Sequence, residues 1–441
     1  MKKVFALLVI LVLAFSAFSV TITMTAGAVG TELETLYKQI DMFMQENPDI
    51  TVQVMPMPNS STDRHDLYVT YLASGVPDPD VLMLDVIWPA EFAPFLVDLT
   101  DDYNYFELDE FFPGTVDSNT VDGRLVSVPW FTDAGILYYR KDLLQKYGYD
   151  VPKTWDELYT IAKDISQKEG INGFVWQGAR YEGLTCNVME FVYSYGGEII
   201  ESGDVVVDDP KYFDKNVAAI AYMKKLVDDG VTPKGVTTYM EEEARRVFQN
   251  GDAVFMRNWP YAWSLANAPD SPVAGKVGIT VLPKGPEPDG RNSATLGGWN
   301  LGINRNSSKA EIEAAKKLIK FLTSHEQQVF KAVHAGQTPT RISAYNDPRT
   351  IEANDFYADI LDVFLSAEPR PISPIYNEIS YEIQVAVHSV LTGQAQPKAA
   401  VESLGKNLKG LVYWERRVNW KGGEFPPFFY KPISIFIYFI V

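Results

Sequence analysis

Cysteine occurs once in 441 residues, as Cys186, so no disulfide framework within the chain can hold the fold. Histidine occurs four times, and His65, His325, His334 and His388 have no metal-ligand spacing. His325-Glu326 begins like a zinc-protease helix, but Val329 stands where the second histidine would be needed, and no metal site is expected. Basic residues are in deficit, with 39 Lys and Arg against 57 Asp and Glu and a formal net charge of -18. Nucleic acid and anionic membrane surfaces both require clustered positive charge, so neither is an expected partner. The sequence lacks a Gly-x-Gly-x-x-Gly turn after a strand, a phosphate-binding loop ending in Gly-Lys-Ser/Thr and a Gly-x-Ser-x-Gly elbow. Nucleotide and serine-nucleophile chemistry therefore lose their signatures, and no cofactor is expected.

Long apolar runs are also missing. Phe5 to Phe15 is apolar but too short for a membrane span, and it follows Lys2 and Lys3 and precedes the small residues Ala17-Phe18-Ser19. Residues 1–19 thus have the form of a secretory signal, and a periplasmic or extracytoplasmic protein is expected after cleavage. Residues 414–441 change character, ending in FPPFFYKPISIFIYFIV, and are read as an atypical tail of the kind an altered reading frame produces. The whole sequence is 46% hydrophobic, and a chain of this length exceeds what one core fills, so two cores are expected.

Val20 to Thr25, Ile50 to Met55 and Val81 to Val86 are strand-like, and Leu33, Leu36, Tyr37, Ile40, Phe43 and Met44 recur at helical spacing between the first two. VLMLDV is a near-continuous apolar run of the kind buried on both faces of a parallel sheet. The order strand, helix, strand predicts an α/β fold. Thr154 and Glu157 form a capping-box pattern, and the acidic run Glu241 to Glu243 opens a helix where the dipole favours it.

Aromatic and acidic residues recur at strand ends. Asp85 and Trp88 follow VLMLDV, where ligands bind in open α/β sheets; the alternative is that Asp85 caps the next helix. Trp130, Phe131 and Asp133 lie between a strand at Leu125 to Pro129 and another at Gly135 to Tyr139. Asp63 and Arg64 precede a helix, where a surface capping pair is the simpler reading. Gly297-Gly298-Trp299 either lets a partner approach the backbone or buries Trp299 in a tight turn. FMRNWPYAW, residues 255–263, reads as a buried strand ending in an aromatic loop, with Trp259 and Tyr261 in the loop and Trp263 deeper in the core. Sugars have apolar C–H faces rimmed by hydroxyls, so aromatic platforms flanked by carboxylates suit them. A binding protein would use the carboxylates only as acceptors, whereas a secreted glycoside hydrolase would use Asp85 and Asp133 on either side of one bond.

Thr62-Asp63-Arg64-His65, Pro79 to Trp88, Asp133 to Leu144, Trp155 to Leu158, Gly251 to Ala253, Asn258 to Trp263 and Gly297 to Trp299 stand together in an order that resembles the extracellular solute-binding proteins of ABC transporters. Within them, about residues 20 to 413 are most similar to the trehalose/maltose-binding group. The resemblance implies a periplasmic-binding-protein-like fold of two α/β lobes with a ligand cleft between them. It implies lobes at 20–127 plus 281–326 and at 128–280 plus 327–413, with crossovers near Leu125 to Phe131, Val277 to Pro283 and Thr323 to Val333. Carried over by motif position, the ligand-binding residues are Glu32, Arg64, Asp85, Trp88, Gly298 and Trp299, together with Phe131, Asp133, Trp259, Tyr261 and Arg370. Phe131 stands where a tyrosine is usual, which removes a hydroxyl contact. The implied function is capture of a maltose-, trehalose- or maltodextrin-type oligosaccharide by a monomer without catalytic activity, and its delivery to the membrane permease of an ABC transporter.

Overall fold

The computed structural model describes residues 19–353, 356–371 and 373–418. Residues 1–18 of the expected signal and residues 419–441 of the expected tail lie outside the described residues. The boundary expected at Trp414 falls inside the last helix, α10 (Pro397–Val418). Among the described residues, no helix is long and apolar enough to cross a membrane.

Strands β1 (Val20–Ala26), β2 (Ile50–Pro56) and β3 (Val81–Asp85) lie parallel, with helices α1 (Glu32–Glu46) and α2 (Ser61–Ala73) between them. β3 is buried along its whole length and its side chains alternate between two cores. Val81 and Met83 pack with Ile22, Ile40 and Phe43, and Leu82 and Leu84 pack with Tyr68, Trp88 and Phe92. That two-sided burial is why the run is apolar at every position before Asp85.

Two long strands extend this sheet. β4 (Ser127–Ala134) and β9 (Ala294–Ile303) pair antiparallel with each other, and β9 also pairs with β3, setting Trp299 opposite both Phe131 and Asp85. With β10 (Thr338–Pro339) outside β4, the order is β10-β4-β9-β3-β1-β2, and β11 (Ala367–Glu368) joins the far end of β9. Trp130, Phe131 and Asp133, expected between two strands, are inside β4, which is buried throughout.

A second sheet contains β5 (Ile136–Arg140), β6 (Asn172–Val175), β7 (Ala253–Asn258) and β8 (Val277–Thr280), in the order β8-β5-β7-β6. Its core includes side chains of α3 (Trp155–Glu169), α4 (Glu182–Ser194), α5 (Phe213–Asp228), α6 (Glu241–Gln249) and α9 (Tyr376–Leu391). The capping box at Thr154 and Glu157 is formed as the sequence predicts. Helices α7 (Lys309–Leu322) and α8 (His325–Ala335) complete the elements used below.

The chain passes from β4 in the first sheet to β5 in the second through Gly135 alone, and returns between β8 and β9. The first passage is later than the expected Leu125 to Phe131, because β4 pairs along the larger sheet up to Ala134. A Cβ at Gly135 would lie 2.0 Å from Glu190 Oε1 and 2.8 Å from an Arg257 nitrogen, so the step is packed against a buried ion pair.

β9 bulges between Trp299 and Asn300, and Gly298 just before has φ +127°. A Cβ there would lie 2.6 Å from the Phe131 carbonyl oxygen. Gly298→Ala is expected to destabilise the fold by more than about 1 kcal/mol, since the backbone suits only glycine. The urea midpoint is the measurement, and an unchanged midpoint would show that the β4–β9 pairing tolerates a side chain.

Candidate binding cleft

The C-terminal ends of β3 and β4, the bulge of β9, the loop after β7 and the first turns of α1, α2, α4 and α6 meet around one cleft. Ten of the residues expected from the sequence line it: Glu32, Arg64, Asp85, Phe131, Asp133, Trp259, Tyr261, Gly298, Trp299 and Arg370. Trp88 does not. Its indole is 1% exposed and packs edge-on against Trp299, at 5.7 Å between ring centroids, so it supports the lining from behind.

Asp85 is not a helix cap. The short helix after it starts at Pro89 without a side-chain cap, and both Asp85 carboxylate oxygens face Arg370. Arg370 Nη2 donates to Asp85 Oδ1 at 2.6 Å and Nη1 to Oδ2 at 3.4 Å, while Nη1 also donates to Glu182 Oε1 at 2.8 Å. Tyr376 and Ser380 donate their hydroxyls to the same Glu182 carboxylate. Glu182 opens α4 two residues before the expected start at Leu184, and nothing in the local pattern marks it as a cleft residue. Burial, opposed by Arg370, pushes its carboxyl above the usual range.

Each cleft tryptophan rests on an arginine. Arg64 is buried in α2 rather than at the surface, hydrogen-bonds the Pro58 carbonyl and lies 4.4 Å over the Trp299 ring. Arg257 lies 3.9 Å over the Trp259 ring and is held by Glu190, with Nε to Oε2 at 2.8 Å. The planar guanidinium stacks on an aromatic face and fixes its orientation. The acidic start of α6 does more than favour the helix dipole. Glu241 accepts the Trp259 indole N–H at 3.3 Å, and Glu242 accepts the Tyr261 hydroxyl at 2.9 Å. Trp263 is core, as expected, packed against Phe356. Sequence reasoning missed Glu182, Glu241, Gln337 and Cys186 as lining residues.

Five carboxyl side chains, those of Glu32, Asp85, Asp133, Glu182 and Glu241, line the cleft with two guanidinium groups, those of Arg64 and Arg370. Asp133 has its carboxyl pushed up to about 7 by burial first and then by the charges of Glu32 and Asp85. The folded state therefore holds this proton more tightly than the unfolded chain, whose aspartate titrates near 4. Stability from this group is present below about pH 4 and lost as pH rises to about 7. Wild-type stability is expected to fall on the order of 2–4 kcal/mol across that window through this group. Asp133→Asn, which cannot ionise, should lose that part of the slope in urea titrations at about pH 5 and 7; equal slopes in the two proteins would count against the assignment.

Residues 27–329, more than half of the chain, match the family model described as bacterial extracellular solute-binding protein. The chain is 41% identical over 423 residues to a probable ABC transporter-binding protein of Deinococcus radiodurans, covering 92% of this chain and 98% of that one. Among solved structures, maltose-bound MalE3 of Thermotoga maritima superposes with a TM-score of 0.86 at 62% identity, covering 89% of this chain and 100% of that one. A solute-binding protein of an ABC transporter from Thermotoga lettingae, bound with α-D-tagatose, superposes with a TM-score of 0.80 at 27% identity, over 89% of this chain and 100% of that one. With the periplasmic-binding-protein-like fold and this match in hand, the chain belongs to the bacterial extracellular solute-binding proteins.

Proposed function

We propose that this protein captures a neutral oligosaccharide of the maltose, trehalose or maltodextrin type outside the cytoplasm and delivers it, as a monomer, to the permease of an ABC transporter. The observation that carries this reading is the meeting of Trp259 and Trp299 with Glu32, Asp85, Asp133 and Arg64 around one cleft. Indole faces suit the C–H faces of a sugar ring, and the charged groups suit its hydroxyl rim. The 62% identity to a protein solved with maltose bound supports the choice of sugar class.

In this reading the lobe expected at residues 20–127 plus 281–326 also takes in the rest of β4 up to Ala134 and β10, which pair in its sheet, and the remainder of 128–280 plus 327–413 forms the other. The lobes close by rotation about Gly135 and the return segment before β9. All ten cleft residues named from the sequence are ligand contacts, and Trp88 acts by holding Trp299. Asp85 and Arg370, already bonded to each other, present their remaining hydrogen-bonding capacity to one end of the sugar.

The hydrolase alternative finds no support. An inverting or retaining pair requires both carboxyl groups to be available to one glycosidic bond, whereas both Asp85 oxygens are engaged by Arg370. The family it belongs to consists of binding receptors.

Trp259→Ala and Trp299→Ala are each expected to weaken maltose binding by about 1–3 kcal/mol, the range for losing one aromatic platform. Intrinsic fluorescence titrated with maltose, maltotriose and trehalose reads this directly. Unchanged affinity in both variants would overturn the platform assignment.

A further inference from the structure

Lys331 lies in the middle of α8, is 1% exposed, and its ammonium makes no hydrogen bond to a described residue. Lysine is almost never buried to this degree without a partner, because desolvating the ammonium is costly. The contacts it does make are with ring faces: Nζ lies 3.4 Å from the Trp130 ring centroid and 4.7 Å from that of Phe131, which lines the cleft. The charges that act on it are carboxylates of the same cleft, those of Glu32 and Asp133. Glu32 opens α1, which packs on α8 through hydrogen bonds of Gln39 to Gln327, and Asp133 stands two residues beyond Phe131 on β4. Glu32 Oε1 is likewise buried without a hydrogen-bond partner.

Asp133 also feels Asp85 and Arg257, and around α8 Glu352 is exposed to solvent while other charges are committed elsewhere. Glu34 and Lys38 of α1 pair with each other at 2.7 Å. On α7, Lys316 pairs with Asp102 and Lys320 lies over Tyr105. Glu326 and His325 of α8 join Asp347 and Arg349 in one network, Arg341 pairs with Glu107, and His334 packs on Phe330. β10 contributes Thr338 and Pro339 and no charge.

We propose that Lys331 is a positioning residue of the sugar site, a buried ammonium beneath Phe131 that serves Glu32 and Asp133 as a shared counter-charge and thereby makes sugar capture proton-linked. The proposal rests on the sugar reading above. An ionised carboxylate accepts sugar hydroxyls at both oxygens, whereas a protonated one has given up part of that capacity. Burial drives the Lys331 ammonium down to about 7 and the Asp133 carboxyl up to about 7, so both groups titrate near neutrality. On the acid side, sugar binding displaces a proton from Asp133 to solvent, and the sugar hydroxyl takes its place as donor. On the alkaline side, where Asp133 is already ionised, sugar binding draws a proton from solvent onto Lys331. Affinity is therefore highest where Asp133 is ionised and Lys331 still protonated.

The test is calorimetric titration of the full chain with maltose, maltotriose and trehalose between about pH 5.5 and 8.5, in paired buffers of different ionisation enthalpy. The wild type is expected to release a fraction of a proton at about pH 6, to take one up at about pH 8, and to bind most tightly between. Lys331→Met should weaken binding about tenfold or more near neutrality and move the acid limb up by roughly one pH unit or more. Lys331→Arg should keep the acid limb and lose the alkaline one, because a guanidinium does not titrate there. Superimposable pH profiles in wild type and both variants, whatever their absolute affinities, would overturn the role of Lys331. So would wild-type binding without proton exchange at either pH, a measurement that stands even if Lys331→Met fails to fold. A folded wild type that binds none of the three sugars at any pH would instead overturn the sugar reading, and the positioning role with it.

Discussion

The antiparallel pairing of β4 with β9 is the constraint on which the rest of the structure depends. Both strands belong to the larger sheet, yet β4 runs directly into the smaller sheet and β9 returns from it. Phe131, Asp133, Gly298 and Trp299 all sit on this one ladder, so the cleft is assembled by the element that joins the two sheets. The bulge at Trp299 and the left-handed backbone of Gly298 turn β9 at this point, and Asp85 is carried in on the neighbouring strand β3. The ladder ends at Ala134, next to the single residue through which the chain leaves for the smaller sheet.

Burial of charge is the second organising theme. Asp85, Arg370 and Glu182 form one buried chain, and Arg257 with Glu190 forms another. Such pairs seldom add stability over apolar packing, since desolvation offsets most of the attraction, but they fix side chains in one geometry. Here they orient the acceptors and, through Arg257, the Trp259 face, while Arg64, held by the Pro58 carbonyl, does the same for Trp299. A sugar's weak, directional hydrogen bonds reward that preorganisation, because groups already held in place lose little freedom on binding.

Much of this was legible in the residues. The unbroken run VLMLD is a strand buried on both faces, FMRNWPYAW is a strand leading into an aromatic turn, and the box at Thr154 caps its helix. Ten of the eleven residues carried over from the family motifs line one cleft. The misses have physical reasons. Trp130 to Asp133 mix aromatic and acidic types, which reads as a loop, but a strand covered on both faces accepts them where a charge is turned toward a cavity. Trp88 was grouped with Asp85 by adjacency, although the turn after β3 points its ring into the core. Glu182 and Lys331 left no trace because their meaning lies in partners far away in sequence. Asp85 and Arg370, for comparison, are 285 positions apart, and periodicity within a window cannot report such a pairing.

Gly135 joins the two sheets with a single residue, and its missing side chain leaves the space that Glu190 and Arg257 occupy. Arg257 in turn is the support beneath Trp259. The one-residue passage between the sheets and the support beneath Trp259 are therefore one packed unit, and neither can be altered in isolation. Under the proposed function, any lineage or design that retunes what Trp259 prefers also retunes the packing around Gly135, so selectivity and closure would be expected to drift together.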